Sequence, residues 1–171
     1  NILSEESSSL NNFSDYTWVI DPIDGTKSYI AGRPLWGTMI ALIFKHKPII
    51  SLVDLPCLNE TWLGDNNNCY LNKKKFKSKK NYNVNIKDSV LASTDPDLFE
   101  KKNYVKFKRV KNIVNRNFWS GDCHNYVLLA SGGIDIVLEE NLSCYDVMPL
   151  IPILNAQKII ITDWKGKEIN F

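Results

Sequence analysis

The string Asp-Pro-Ile-Asp-Gly-Thr at residues 21–26 constrains this chain more than any other stretch. It follows an apolar run, residues 17–21, read as a short strand that Pro22 ends because proline has no N–H for a sheet ladder. In an unbroken strand, residues three apart point to opposite faces. A turn at Pro22 instead lets Asp21 and Asp24 converge on one point and frees the Ile23 carbonyl from sheet pairing. Gly25 then leaves the backbone bare, and the N–H groups of Gly25 and Thr26 open a short helix over 26–32, closed by Gly32 ahead of Pro34. Bare amides at a helix start are a ready anion site. Oxygen ligands beside a phosphate-sized pocket call for a hard cation, Mg2+ before others. The plain alternative is a strand end followed by an Asp-capped helix.

The rest of the chain bounds the setting. At 171 residues it is one domain or most of one, and 44% hydrophobic residues are enough for a core. A net charge of +2 gives no argument for a nucleic-acid or membrane partner. No apolar run reaches the roughly 18 residues that a membrane span needs, and the opening NILSEESSS reads as no signal peptide. The four cysteines show no CxxC spacing and read as reduced thiols of a cytoplasmic protein. His46 and His124 are far apart, which argues against zinc. The chain starts without Met in what reads as the end of a strand and stops just after a turn, so further sequence is expected on both sides.

Along the chain, residues 37–56 read as two nearly continuous apolar strands around a His-Lys-Pro turn, and residues 59–76 as a hairpin with a Gly-Asp-Asn turn. Residues 72–80 carry six lysines; we take them as a solvated hairpin edge rather than an anion patch. Residues 89–94 read as a strand. Asp95 then caps a helix with Pro96 at its first position. A helix over 124–133 with a Gly-Gly stop, an alternating strand from Ile134, a helix over 145–157 and a final strand over 158–164 complete a layered α/β pattern.

These strings resemble the inositol monophosphatase superfamily of Mg2+-dependent, lithium-sensitive phosphatases. Ser4-Glu5-Glu6 matches its Gly-Glu-Glu element, residues 21–26 its Asp-Pro-Ile-Asp-Gly-Thr element, and Tyr145-Asp146 its Trp-Asp element. DPIDGTKSYIAGRPLWGTMIAL, STDPDLF, GDCHNYVLLASGGIDIVLE and the Tyr-Asp pair are most similar to the histidinol-phosphate phosphatase branch. The resemblance covers essentially the whole chain. It implies an α/β (α+β) layered sandwich of the sugar-phosphatase type, with alternating helix and sheet layers and mixed or antiparallel sheets. Residues 1–171 would then be a single domain, completed by N-terminal helices and a C-terminal end.

Carried over by position, the resemblance implies that Glu5, Asp21, the Ile23 carbonyl, Asp24 and Asp146 hold metal. Glu5, Asp24 and Thr26 would be catalytic, with Thr26 and Glu5 orienting and deprotonating the attacking water. The Gly25 and Thr26 amides would hold phosphate, and Gly121, Asp122, Glu139 and Asp146 would meet the alcohol part of the substrate. Four carboxylates and a phosphate dianion in one dry site require two to three Mg2+ to offset their charge. The implied activity is a Mg2+-dependent phosphomonoesterase using metal-activated water, with L-histidinol phosphate, an intermediate of histidine biosynthesis, as the favoured small metabolite. Inositol 1-phosphate or a sugar phosphate is the alternative substrate. A non-catalytic interaction protein or an inactive fragment is the alternative class. A homodimer is expected, without membrane or nucleic-acid partners. The chain departs from the family at Ser4, where glycine is usual, and after residue 154, where Asn155 or Gln157 must close a turn that is usually glycine-rich.

Overall fold

The computed structural model describes residues 1–9, 15–79 and 84–171. Its first half is one sheet. β1 (Ile2–Ser4), β2 (Ser7–Ser9), β3 (Tyr16–Asp24), β4 (Gly37–Phe44), β5 (Lys47–Leu55), β6 (Glu60–Gly64), β7 (Cys69–Leu71) and β8 (Lys74–Phe76) lie in the order β2-β1-β3-β4-β5-β6-β7-β8. Every neighbour is antiparallel except the pair β1–β3. A short α-helix, α1 (Thr26–Ile30), interrupts this run between β3 and β4, and a 3-10 turn, Pro56–Leu58, between β5 and β6.

The second half alternates strand and helix. β9 (Val90–Ser93), α2 (Lys101–Lys111), β10 (Arg116–Trp119), α3 (Cys123–Ser131) and β11 (Ile136–Val137) build a parallel three-stranded sheet in the order β10-β9-β11. Then come α4 (Cys144–Val147) and α5 (Ile151–Ala156). The core explains the stacking. Met39, Val53, Leu55 and Trp62 of the large sheet pack against Val127 and Ala130 of α3, Ile153 and Leu154 of α5, and Ala92 of β9. Beyond the small sheet, Phe107 of α2 packs with Leu91, Phe99 and Val114. Helix and sheet layers therefore alternate, as expected. α5 comes so close to the large sheet that a Cβ on Gly64 would stand 2.5 Å from the Ile153 nitrogen. Among the described residues no helix is long and apolar enough to cross a membrane.

Several elements differ from the sequence expectations. β3 does not end at Pro22; it runs on to Asp24 through an irregularity in its pairing with β4 between Asp21 and Asp24, because a bulge absorbs a residue that cannot donate. The β4–β5 turn is Lys45–His46, both at positive φ, and Pro48 lies inside β5 where the register shifts. The expected single hairpin is a three-strand meander with a second tight turn at Asn72–Lys73. The lysine run thus forms that turn and edge strand β8, while Lys80 lies outside the described residues.

Asp95 does cap, accepting the Asp97 N–H at 3.0 Å, but it opens only a 3-10 turn, and α2 starts at Lys101 behind Glu100. The strand expected from Ile134 is the two-residue β11. The helix expected over 145–157 breaks into α4 and α5, because Pro149 and Pro152 lack the N–H groups that would bond to the carbonyls of Tyr145 and Met148. α5 then closes on Gln157 with Lys158 in the left-handed region: Lys158 N–H donates to Asn155 and Ile159 N–H to Leu154, the Schellman pattern without glycine. Residues 158–164 pair with no strand among the described residues; an apolar run does not by itself supply a partner.

Candidate metal and phosphate site

The bulge in β3 builds the first part of the site. Period-2 alternation turns Thr17, Val19 and Asp21 to the buried face, leaving Asp21 1% exposed. Asp21 Oδ1 accepts the Ile23 N–H at 3.0 Å, and the Thr38 hydroxyl donates to the Pro22 carbonyl at 2.8 Å, so the chain is held where the ladder is interrupted. The Thr26 hydroxyl donates to the Ile23 carbonyl at 3.0 Å. Gly25 takes φ +81, and an added Cβ would sit 2.9 Å from the Leu35 carbonyl oxygen and 3.1 Å from Asp122 Oδ2. Only glycine satisfies both the dihedral and the close approach.

α3 and α4 bring the rest. Asp122, itself at φ +47, precedes α3, and Asp24 Oδ2 accepts the Cys123 amide at 2.5 Å. Asp146 sits in the first turn of α4 in a capping box with Ser143, whose N–H donates to Asp146 Oδ2 at 2.6 Å. Carboxylate oxygens of Asp21, Asp24 and Asp146 lie within 4.8 Å of one another. Glu5 stands beside this cluster: parallel pairing puts Ser4 opposite Ile20, and Glu5 N–H donates to the Ile20 carbonyl at 3.2 Å.

Crowding and burial shift the acids upward. Asp21 is pushed up to about 8 by burial, then by the charges of Asp24, Glu5 and Asp146. Burial lifts Asp24 to about 6 against hydrogen bonds from Cys123 that lower it. Asp146 is raised by burial, with Glu5 and Asp122 adding, against the Ser143 N–H. A cation among these oxygens would turn mutual repulsion into coordination. The donor set fits Mg2+, being all oxygen and gathered within 4.8 Å.

A cavity of about 270 Å³ opens from Asp24 and Asp146. Asp122, Glu139, Glu140, Tyr126, Thr94 and the side chains of Leu98, Leu142, Met39 and Leu150 are among its lining, which among the described residues includes no Lys, Arg or His. Glu139 Oε1 accepts both the Thr94 N–H at 2.7 Å and its hydroxyl at 2.9 Å. Burial nevertheless lifts Glu139 to about 7. Burial also raises Asp122, opposed by a Ser28 hydrogen bond and by Arg33 and Lys27. Gly121, at φ +128, stands against the Asn125 side chain and is not part of the lining. Another hollow, about 390 Å³ and bounded by Asp15, His46 and Phe171, adjoins none of these acids.

Sequence reasoning missed Thr94, Ser28, Leu98, Glu140 and Leu142. Thr94 stood in the STDPDLF string and was there to be found. Leu98 stood in the same string and Ser28 in the one that starts at Asp21, whereas Glu140 and Leu142 are joined to the site by long-range packing.

Comparison with known proteins agrees with this geometry. The family model described as the inositol monophosphatase family matches residues 1–171. The Arabidopsis thaliana protein named bifunctional phosphatase IMPL2, chloroplastic, is 41% identical over 156 residues, 91% of this chain and 44% of that protein. The histidinol-phosphatase of Streptomyces coelicolor is 30% identical over 158 residues, 87% of this chain and 57% of that one. The chain thus spans about half the length of these curated relatives. An inositol monophosphatase structure from Zymomonas mobilis superimposes with a TM-score of 0.88 at 32% identity, over 99% of this chain and 65% of that one. With the family model matched end to end, and its fold and acid cluster in place, this chain belongs to the inositol monophosphatase family.

Proposed function

We propose that this chain carries the Mg2+-dependent hydrolysis of a small phosphate monoester whose alcohol part is cationic, with L-histidinol phosphate favoured. The observation that carries the reading is the cavity beside Asp24 and Asp146, lined by the further acids Asp122, Glu139 and Glu140, the last engaged by Glu100 and Asn103, and, among the described residues, by no basic side chain. A neutral polyol gains little from two surplus carboxylates, whereas an ammonium or imidazolium group is stabilised by them. The apolar lining of Leu98, Leu142 and Met39 suits a flat or aliphatic part of the same molecule. The name of the Streptomyces coelicolor relative points the same way.

In this reading the cluster of Asp21, Asp24 and Asp146, with the Ile23 carbonyl and Glu5, would hold two to three Mg2+. When bound, the metal supplies charge neutralisation at the phosphoryl and leaving oxygens. The bare amides of Gly25 and Thr26 receive the phosphate. Thr26, its proton engaged by the Ile23 carbonyl, offers lone pairs to the attacking water, which Glu5 deprotonates in line with the leaving alcohol. Glu139 Oε2, the oxygen not used by Thr94, meets the substrate cation with Asp122. A homodimer in the cytoplasm belongs to the same reading, and sedimentation equilibrium tests the first part of it.

Phosphate release from L-histidinol phosphate, inositol 1-phosphate and fructose 1,6-bisphosphate, with and without Mg2+, tests the function. The expected result is Mg2+-dependent turnover with the highest kcat/KM on histidinol phosphate. Equal or higher kcat/KM on inositol 1-phosphate overturns the substrate assignment. The names of relatives such as the fructose-1,6-bisphosphatase/inositol-1-monophosphatase of Aquifex aeolicus make those esters the right competitors.

A further inference from the structure

Glu140 follows Glu139 in sequence but directs its carboxylate to the start of α2. Oε2 accepts the Glu100 N–H at 2.9 Å, and Oε1 accepts the Asn103 side-chain amide at 2.5 Å. α2 needs this partner. Its N-cap, Glu100, makes no side-chain cap, and its first turn contains no acid to offset the helix dipole. Glu140 is therefore a cap supplied from 37 to 40 residues away.

Two more bonds pin the same segment. The Asn141 side chain donates to the Leu98 carbonyl at 3.0 Å, and Trp164 Nε1 donates to the Glu139 carbonyl at 2.9 Å. Residues 139–141 thus form a strap tied to the α2 side of the molecule, and Glu139 is the residue of that strap whose carboxylate is also bonded to Thr94 at the cavity.

We propose that Glu140 is a positioning residue: by clamping α2 through Glu100 and Asn103 it sets where the Glu139 carboxylate stands in the cavity, and so sets the preference for a cationic ester. This rests on the substrate reading above. The effect is selective, because the strap is not part of the Asp21, Asp24 and Asp146 cluster. A displacement of about 1 Å at a group that orients substrate costs up to about 10²-fold, and loss of one of several ties should cost less, about tenfold.

The test uses the full chain with Glu140→Ala, Asn103→Ala, the double variant and Glu140→Gln, measuring kcat and KM on L-histidinol phosphate and on inositol 1-phosphate. Glu140→Ala should raise KM for histidinol phosphate about tenfold, and Asn103→Ala, which leaves the Glu100 bond in place, by severalfold; in Asn103→Ala kcat, and both constants on inositol 1-phosphate, stay within about twofold. The double variant should be no worse than Glu140→Ala alone, since that change already removes the bonds to both Glu100 and Asn103. Glu140→Gln, which keeps an acceptor oxygen, should recover part of the loss.

A loss in Glu140→Ala with none at all in Asn103→Ala overturns the clamp as stated, which needs the bonds from both Glu100 and Asn103. Equal losses on both esters would mean a merely structural role and overturn it too. If the unmutated chain prefers histidinol phosphate and both alanine variants keep that preference, the clamp alone fails. If the unmutated chain has no preference, the substrate reading fails and this inference with it. Asn103→Ala, altered on the α2 side only, keeps the test decisive where Glu140→Ala fails to fold.

Discussion

Asp24 and Cys123 are 99 residues apart in the chain, yet an Asp24 carboxylate oxygen accepts the Cys123 amide N–H at 2.5 Å. The bond joins the end of β3 to the start of α3 and engages Oδ2 of a residue that also belongs to the acid cluster. Asp146 is arranged in the same way, with Oδ2 engaged by its own helix start at Ser143. Each acid is thereby oriented by the backbone of a helix start, which holds it in place before any ion arrives.

That relationship separates folding from chemistry at Asp24. Asp24→Asn keeps an oxygen for the Cys123 amide, so the melting temperature should change little. It removes a charged ligand, and activity should fall more than about 10³-fold, since the metal site is asked for several kcal/mol of transition-state stabilisation. Activity recovered simply by raising Mg2+ would show that the ligand set is wrong.

Gly25→Ala meets a positive φ and two close neighbours, the Leu35 carbonyl and Asp122. The cost should be about 1–3 kcal/mol, seen as a lower urea midpoint with unchanged slope. A midpoint within error of the unmutated chain would contradict the tightness of that turn.

Glu139→Gln leaves the Thr94 bonds an acceptor and so should not disturb the fold. It should raise KM for a cationic ester, or shift substrate choice, more than it weakens Mg2+ binding. Calorimetry showing a loss of metal affinity alone would remove Glu139 from the substrate side.

Without metal, the buried acids make stability depend on pH. Asp21 is held up to about 8, Glu139 to about 7 and Asp24 to about 6, burial being the first cause in each case. An unfolded carboxylate titrates near 4. The folded chain therefore binds these protons more tightly, and the stability they contribute is complete below about pH 4 and drains as pH rises through about 6 to 8. The metal-free chain should melt at a lower temperature at pH 8.5 than at pH 5. Added Mg2+ should restore the difference at pH 8.5 and do little at pH 5, because it binds the deprotonated cluster of the folded state. An equal Mg2+ effect at both values would contradict this.

The parts of the molecule legible in the sequence are those set by neighbours in the chain. Residues 21–26 carry their own geometry, because a proline, two aspartates and a glycine within six positions leave the backbone few choices. The β4–β5 strands and α3 were likewise marked by their apolar pattern. Where local signals competed, the outcome was not legible: Asp95-Pro96 is a good helix start, but a 3-10 turn satisfied it and Glu140 capped the later helix from a distance. Pro149 and Pro152 were visible, yet the apolar period across residues 145–157 masked the break they cause. The Glu140 clamp was invisible, since it depends on how α2 lies beside the 139–141 strap. The place of Glu139 and Asp146 came from resemblance, not from spacing.

The central claim is that Asp21, Asp24 and Asp146, drawn from distant parts of the chain, hold divalent metal for phosphoryl transfer. The most direct measurement is an anomalous difference map from crystals of the chain grown with Mn2+ and phosphate. The account expects metal peaks about 2–2.5 Å from carboxylate oxygens of all three aspartates, with phosphate next to the Gly25 and Thr26 amides. A map with phosphate density elsewhere and no metal among these three side chains would contradict it.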